Sequence, residues 1–450
     1  MKLAALLSAA WVIVAAMPVS AEVIERQQSV RPLPGALDSV LMVNDNNPEL
    51  IQNDGILIST FPDGDAASVP VVLNGRFDLF SHHVYAGDAE GSPTSTLWLA
   101  VLAAPLGDAP VTLQLLSGST SLSQATEPGQ TQAPFLPLPS LMQETTEVVA
   151  AGPGSRVAGD LLASRSAPEL SSRRWTLPPG SPTRLMLLPI PVAGLDPLLN
   201  GRNLQLRFHS SAPVAIATLA AHGNDGQAPN DQHWLQLLKS RRLSSKEHQP
   251  TPRGSKGKII YSRVSGVQIG SSWRARLTDP GSTVLAAPKA PISWPISSLE
   301  RGTLATNQVQ TAELERFYPG TAWAAHGNYG VEYDLTLPLK NTGSAPVKLQ
   351  LSLDSPLKGN SQTSFLRFRD DLNGPVMFRG PIQTTGLEDP EGVPQGRQTQ
   401  HLVLRQGQQG SSLGQVMLKP GEGKPVRVRL IYPADATPPQ VLTVQPVKQS

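Results

Sequence analysis

Leu99-Ala-Val-Leu-Ala-Ala-Pro-Leu-Gly107-Asp-Ala-Pro-Val111-Thr-Leu-Gln-Leu115 aligns without a gap on Leu335-Thr-Leu-Pro-Leu-Lys-Asn-Thr-Gly343-Ser-Ala-Pro-Val347-Lys-Leu-Gln-Leu351. In both copies apolar residues recur at every second position around a Gly-x-Ala-Pro turn, and side chains two apart lie on one face of a strand. Each copy reads as strand, turn, strand, the hairpin of a sandwich domain with its apolar face inward. A second echo pairs Leu177-Pro-Pro-Gly180 with Leu418-Lys-Pro-Gly421, each leading into an apolar strand. Two similar domains are expected.

Outward from these stretches the same alternation continues at Leu204, Leu206 and Phe208, and at Val426, Val428 and Leu430. Turn chemistry separates the runs at Asp54-Gly55, Asp63-Gly64, Asn74-Gly75, Pro179-Gly180, Asn200-Gly201 and Pro420-Gly421. Composition agrees, since 16% charged residues with 43 Pro and 38 Gly cannot dress the wet faces of long helices. The sequence therefore predicts an all-β protein of two β-sandwich-like domains, at 22–225 and 258–450, joined by a short helix and a basic linker at 226–257. Asn230 and Asp231 can cap that helix, and Trp234, Leu235, Leu237 and Leu238 give it an apolar face. Lys239, Arg241, Arg242, Lys246, Arg253, Lys256 and Lys258 follow, reading as a solvated connector.

The chain opens with Lys2, an apolar run from Leu3 to Met17 and the small residues Val19-Ser20-Ala21. This is the pattern of a signal peptide cut after Ala21, and it predicts a periplasmic or extracellular protein without stable membrane insertion after cleavage. There are 0 Cys, so stability must come from burial. Net charge is +2, which gives no chain-wide attraction to nucleic acid, and aromatics at 5% supply no interleaved basic face outside the linker.

Val30-Arg-Pro-Leu-Pro-Gly35, Asn47-Pro-Glu-Leu-Ile51 with Gly55-Ile-Leu, Gly75-Arg-Phe-Asp78, Ala151-Gly-Pro-Gly-Ser-Arg156, His326-Gly-Asn-Tyr-Gly330 and Tyr432-Pro-Ala-Asp-Ala-Thr-Pro-Pro439 together resemble a family of secreted cyanobacterial proteins classed as a domain of unknown function. The resemblance covers nearly the whole chain after Ala21. It implies a cell-envelope protein of a photosynthetic bacterium and carries over no catalytic residue.

No residue set stands out as catalytic, and no cofactor or metal is expected. Gly410-Ser411-Ser412-Leu413-Gly414 matches a nucleophile-elbow pattern but precedes strand and turn residues, where no helix N-terminus supports an oxyanion. Asp370-Asp371 and Glu388-Asp389-Pro-Glu391 read as exposed loop acids, while Asn44-Asp45-Asn46-Asn47 and Asn224-Asp225-Gly226 offer loop oxygens of the kind calcium takes. His82 and His83, adjacent in a strand, point to opposite faces and cannot share one ion. His326 leads the ligand-binding candidates, followed by Asn328, Tyr329, His82 and His83, because His326 and Tyr329 flank a tight glycine loop. Exposed tryptophans among Trp98, Trp175, Trp273, Trp294 and Trp323 could stack on sugar rings. The expected role is non-enzymatic binding or structure, with an envelope polysaccharide or a secreted protein as partner and no nucleic acid. The alternative is a hydrolase acting on envelope glycans or peptides in the groove between the domains.

Overall fold

The computed structural model describes residues 22–62, 66–87, 96–124, 136–137, 150–223, 227–260 and 262–447. The leader and the pairs Asp63-Gly64 and Asn224-Asp225 lie outside them.

Strands dominate, and they form two sandwiches. The first is one ten-stranded sheet folded onto itself by a single long strand, Leu199–His222. Its first half, to Ser210, pairs with Leu73–Ala86 and Val111–Leu122. From Val214 onward it pairs instead with Thr96–Pro105 and Gly55–Ser59. The two layers close on Phe77, Leu79, Leu99, Val101, Leu113, Leu206, Phe208 and Ile216. In the second sandwich a six-stranded and a five-stranded sheet enclose Trp294, Tyr333, Leu335, Leu337, Leu349, Val426, Val428 and Leu442.

The quoted stretches are not hairpins. Thr96–Pro105 pairs with Thr183–Pro191 and the long strand, whereas Val111–Leu122 pairs with Arg174–Leu177 and the same strand's other half. Likewise Glu332–Lys340 and Val347–Asp354 belong to different sheets. Each Gly-x-Ala-Pro turn carries the chain from one layer to the facing one. The error has a physical cause: two strands that face a common core show the same alternation whether they sit side by side or across from each other.

The echoes nevertheless mark one repeated block. Arg174–Leu177 and Thr183–Pro191, like Ser412–Leu418 and Gly423–Ile431, cross between layers at turns where Gly180 and Gly421 take φ of 76° and 74°. In the first sandwich Val111 opposes Leu177 and Ala103 opposes Thr183. In the second the aligned positions do the same, Val347 opposing Leu418 and Leu339 opposing Lys424.

Strands are also traded between the sandwiches. Val23–Gln27 pairs with Phe365–Arg369, and Ser29–Val30 runs parallel to Ile292–Ile296. In return Val264–Ile269 joins Leu41–Leu50 of the first sandwich, with Leu314–Phe317 beyond it. Asn200-Gly201, read as a turn, lies inside the long strand, and Asn44 to Asn47 lie in Leu41–Leu50 rather than in a loop. Alternation there sends their side chains to opposite faces, so they do not converge as calcium ligands would.

Two helices are present among the described residues. α2, Asp231–Lys239, is the expected one: Asn230 accepts from the His233 amide at 2.9 Å, and Trp234, Leu237 and Leu238 are buried on the outer face of the first sandwich. The basic stretch after it is largely exposed, yet its backbone is tied down. Ile56 donates to Arg242 and accepts from Ser244, and Glu49 accepts from the amides of Glu247 and His248.

α1, Pro153–Leu162, was not legible because its own sequence lacks a capping side chain. The carboxylate of Asp435 substitutes for one from the second sandwich, accepting from the Ser155 amide at 2.5 Å and hydroxyl at 2.6 Å. Burial, opposed by those hydrogen bonds, pushes the Asp435 carboxyl up.

Candidate functional site

The sandwiches meet where three of the segments that carry the family resemblance come together. Gly330 donates to the Tyr432 carbonyl at 2.9 Å, and Tyr329 donates to the Ala436 carbonyl at 3.0 Å. The Phe80 ring, from the first sandwich, stacks on Tyr329 at 6.4 Å. Gly330 has φ 78°, and a Cβ there would meet Phe80 at 2.8 Å, so the close approach requires glycine. Across the same seam Gln205 donates to the Gly330 carbonyl at 2.6 Å, and Glu332 pairs with Arg207 and Arg429. The α1 contact with Asp435 closes the far end.

Two cavities open at this seam, and His326 lines both. The inner one, about 340 Å³, has Asn46, His82 and Val84 on the first-sandwich side and Tyr329, Ala434, Thr437 and Pro438 on the other. Burial, reinforced by neighbouring His83, lowers the His82 pKa to about 4. Burial alone lowers that of His326 to about 4. Both rings are therefore neutral near pH 7. The Nδ1 of His82 is buried with no hydrogen-bond partner among the described residues.

The outer cavity measures about 330 Å³. Its walls come from the segment after α2 (Pro250, Pro252, Ile260), from Leu299 and Val309, and from Trp323. Ile260 and Val309 are 47% and 49% exposed and stand at the rim. The Arg253 guanidinium sits 4.9 Å over the Trp323 ring and is held by both carboxylate oxygens of Glu313. Glu300 and Arg301 complete the polar edge.

Of the five residues nominated from sequence, the structure gathers His82, His326 and Tyr329 around the inner cavity. His83 points the other way, into the first sandwich, with its Nε2 2.9 Å from Asp45. Asn328 is fully buried and structural: its amide nitrogen donates to the Gln310 carbonyl at 2.9 Å and to Tyr333 at 2.8 Å. No cluster of three or more His, Cys, Asp or Glu able to hold a metal occurs among the described residues. Ser412 of the G-x-S-x-G match begins the strand Ser412–Leu418 rather than lying in a loop, and no helix N-terminus follows it to support an oxyanion.

Among the acids, Glu388 departs from expectation. It is 8% exposed and braces two strands, accepting from the Met417 amide at 3.0 Å and Lys424 at 2.7 Å. Trp273 and Trp294 are core, while Trp98, Trp175 and Trp323 keep partial exposure. The partnership of Arg253, Glu313 and Trp323 was hidden in the sequence. Arg253 read as linker charge, and 60 residues separate it from Glu313.

No described helix is long and apolar enough to cross a membrane. No curated protein matches the chain. Among solved structures, the 11S allergen from Cocos nucifera L. aligns over 94% of this chain and 89% of its own, at 11% identity and a TM-score of 0.11, a likeness that carries no argument. The match that covers the seam, both cavities and both sandwiches is to a family model. Residues 28–446 fit the one described as protein of unknown function (DUF3370), and the chain belongs to that family.

Proposed function

We propose that this is a non-enzymatic binding protein of the cell envelope, exported to the periplasm or beyond, whose ligand seats in the paired cavities at His326. The composition of the outer cavity carries the reading: a Trp323 face, exposed aliphatics at the rim and the Arg253–Glu313 ion pair. Ligand sites combine apolar walls with a few fixed polar groups in this way. The neutral His82 and His326 rings favour hydrogen bonding over charge pairing at neutral pH. Export is supported by Lys2, the apolar run to Met17 and Val19-Ser20-Ala21. The quoted family segments support a cyanobacterial envelope as the setting. A segment of envelope polysaccharide or of a secreted protein is the ligand proposed.

The test is titration of tryptophan fluorescence with fractionated envelope glycans and peptides, for the native chain and for Trp323→Ala. Saturable binding that weakens at least about tenfold in the variant is expected, in line with loss of a buried aromatic anchor. No saturable binding, or identical binding by the variant, contradicts the proposal.

One observation favours the hydrolase alternative: Glu300, Glu313 and His326 share the outer cavity. Glu313 is committed to Arg253, which ranks this reading second. Turnover of a glycan or peptide abolished by Glu300→Gln would reverse that order.

A further inference from the structure

The outer face of the six-stranded sheet brings together arginines that are far apart in sequence. Reading across the strands, Arg276 lies beside Thr336, Thr336 beside Arg427, Arg427 beside Thr385 and Thr385 beside Arg397. Laterally paired residues point to the same side of a sheet. Arg276, Arg397 and Arg427 are exposed, as is Thr385, while Thr336 is half-buried. At the strand spacing of about 4.8 Å, guanidinium-bearing positions recur about every 10 Å along this row.

The next row holds Arg274, Asp334, Arg429, Gln383 and Thr399. The acids of the face are already engaged. Asp334 accepts from Arg427 at 2.7 and 2.6 Å, and Glu332 accepts from Arg429 and Arg207. The side chains of Arg276 and Arg397 have neither an ion pair nor a hydrogen bond among the described residues. A depression of about 500 Å³ lies over Arg274, Arg276, Asp334, Thr336 and Arg427.

We propose that this face binds an acidic polysaccharide, bearing carboxylate or sulfate groups, laid across the strands along the row from Arg276 to Arg397. Forked guanidinium groups match such anions. Their recurrence is close to the length of one disaccharide, and the threonines between them present hydroxyls to sugar oxygens. A single-stranded nucleic acid is the poorer fit, because neither row contains an aromatic ring on which a base could stack. This site stands apart from the His326 cavities and does not depend on them.

The experiment measures binding of the full chain to immobilised alginate, heparin, neutral dextran, single-stranded poly(dT) and duplex DNA, in low salt and in high salt where exposed charge pairs are screened. Arg276→Ser/Arg397→Ser removes two side chains that hold no hydrogen bond or ion pair among the described residues, and a third variant adds Arg427→Ser. Arg174→Ser/Arg242→Ser removes equal exposed charge elsewhere. Alginate or heparin should bind and dextran should not. Affinity should fall about tenfold or more in the first variant and further in the triple, and stay within about twofold in the control, since only the first two lose charge-assisted contacts. Three results would overturn the proposal: no binding to either polyanion, an equal loss in the control, or DNA bound as tightly with the same dependence on Arg276 and Arg397.

Discussion

The repeated block has two outer faces, and they have opposite fates. In the first sandwich the row across the strands is Leu187, Ala100, Leu219 and Ile56. In the second, once the extra residue of the bulge between Arg184 and Met186 is set aside, the positions in the same register as Leu187 and Ala100 are Arg427 and Thr336, and Arg276 follows. Inward positions are alike, Leu99, Val101 and Ala103 answering to Leu335, Leu337 and Leu339. Only the outward ones diverge. The apolar row lies under α2, where Trp234 is fully buried and donates to the Pro229 carbonyl at 3.0 Å. Its counterpart faces water at Arg276 and Arg427, while α1 packs farther along the same sheet, at Ile431. The block thus needs only its inner alternation to fold; the outer row is free to become a second core or a binding surface.

The largest effect should come from lifting the cover. Trp234→Ala should cost about 3–5 kcal/mol, as for other buried large-to-small changes, and thermal unfolding would report it. Little or no change would mean α2 does not seal the apolar row. Exchanging the aligned residues comes next. Ala100→Thr places a hydroxyl under the helix and should cost about 1–3 kcal/mol in chemical denaturation.

The seam between the sandwiches should register as sensitivity to acid. His82 and His326 have folded pKa values of about 4, each from burial, with His83 adding to it for the first. Below the ordinary 6.5 the unfolded chain takes up protons that the folded one refuses. Stability is therefore intact above that value and falls as pH drops toward 4. Melting curves between pH 7 and 4.5 should show this, and His82→Gln with His326→Gln should flatten the fall; an unchanged slope would place the loss elsewhere.

Asp435→Ala should cost about 1–2 kcal/mol by uncapping α1, less than a full hydrogen-bond loss because burial of the carboxylate is also relieved. Proteolysis within Pro153–Leu162 would accelerate, and unchanged protection would show that α1 docks without its borrowed cap. The smallest effect belongs to the open row: Thr336→Ala should change stability by less than about 0.5 kcal/mol, and a larger loss would mean that row is covered.

What the sequence revealed follows its physics. Burial alternation is local, so Leu113, Leu206, Val428 and the all-β class could be read directly. Pairing is not local, and the two Gly-x-Ala-Pro stretches passed for hairpins because layers facing one core share a pattern. α1 escaped because its cap, Asp435, is 280 residues from Ser155. His326 and Tyr329 stood out beside their glycines, but that His82 shares their cavity depends on how the sandwiches dock. The arginine row was invisible for the same reason: one residue from each of several strands, never a basic run.

The most direct test is arginine-specific labelling with phenylglyoxal, mapped by mass spectrometry with and without alginate. Arg276, Arg397 and Arg427 should be modified in the folded chain and shielded by alginate, while Arg174 is modified equally in both conditions. Arginines of the row that are unreactive, or shielded no more than Arg174, would contradict the claim that the second sandwich turns its outer face into a binding surface.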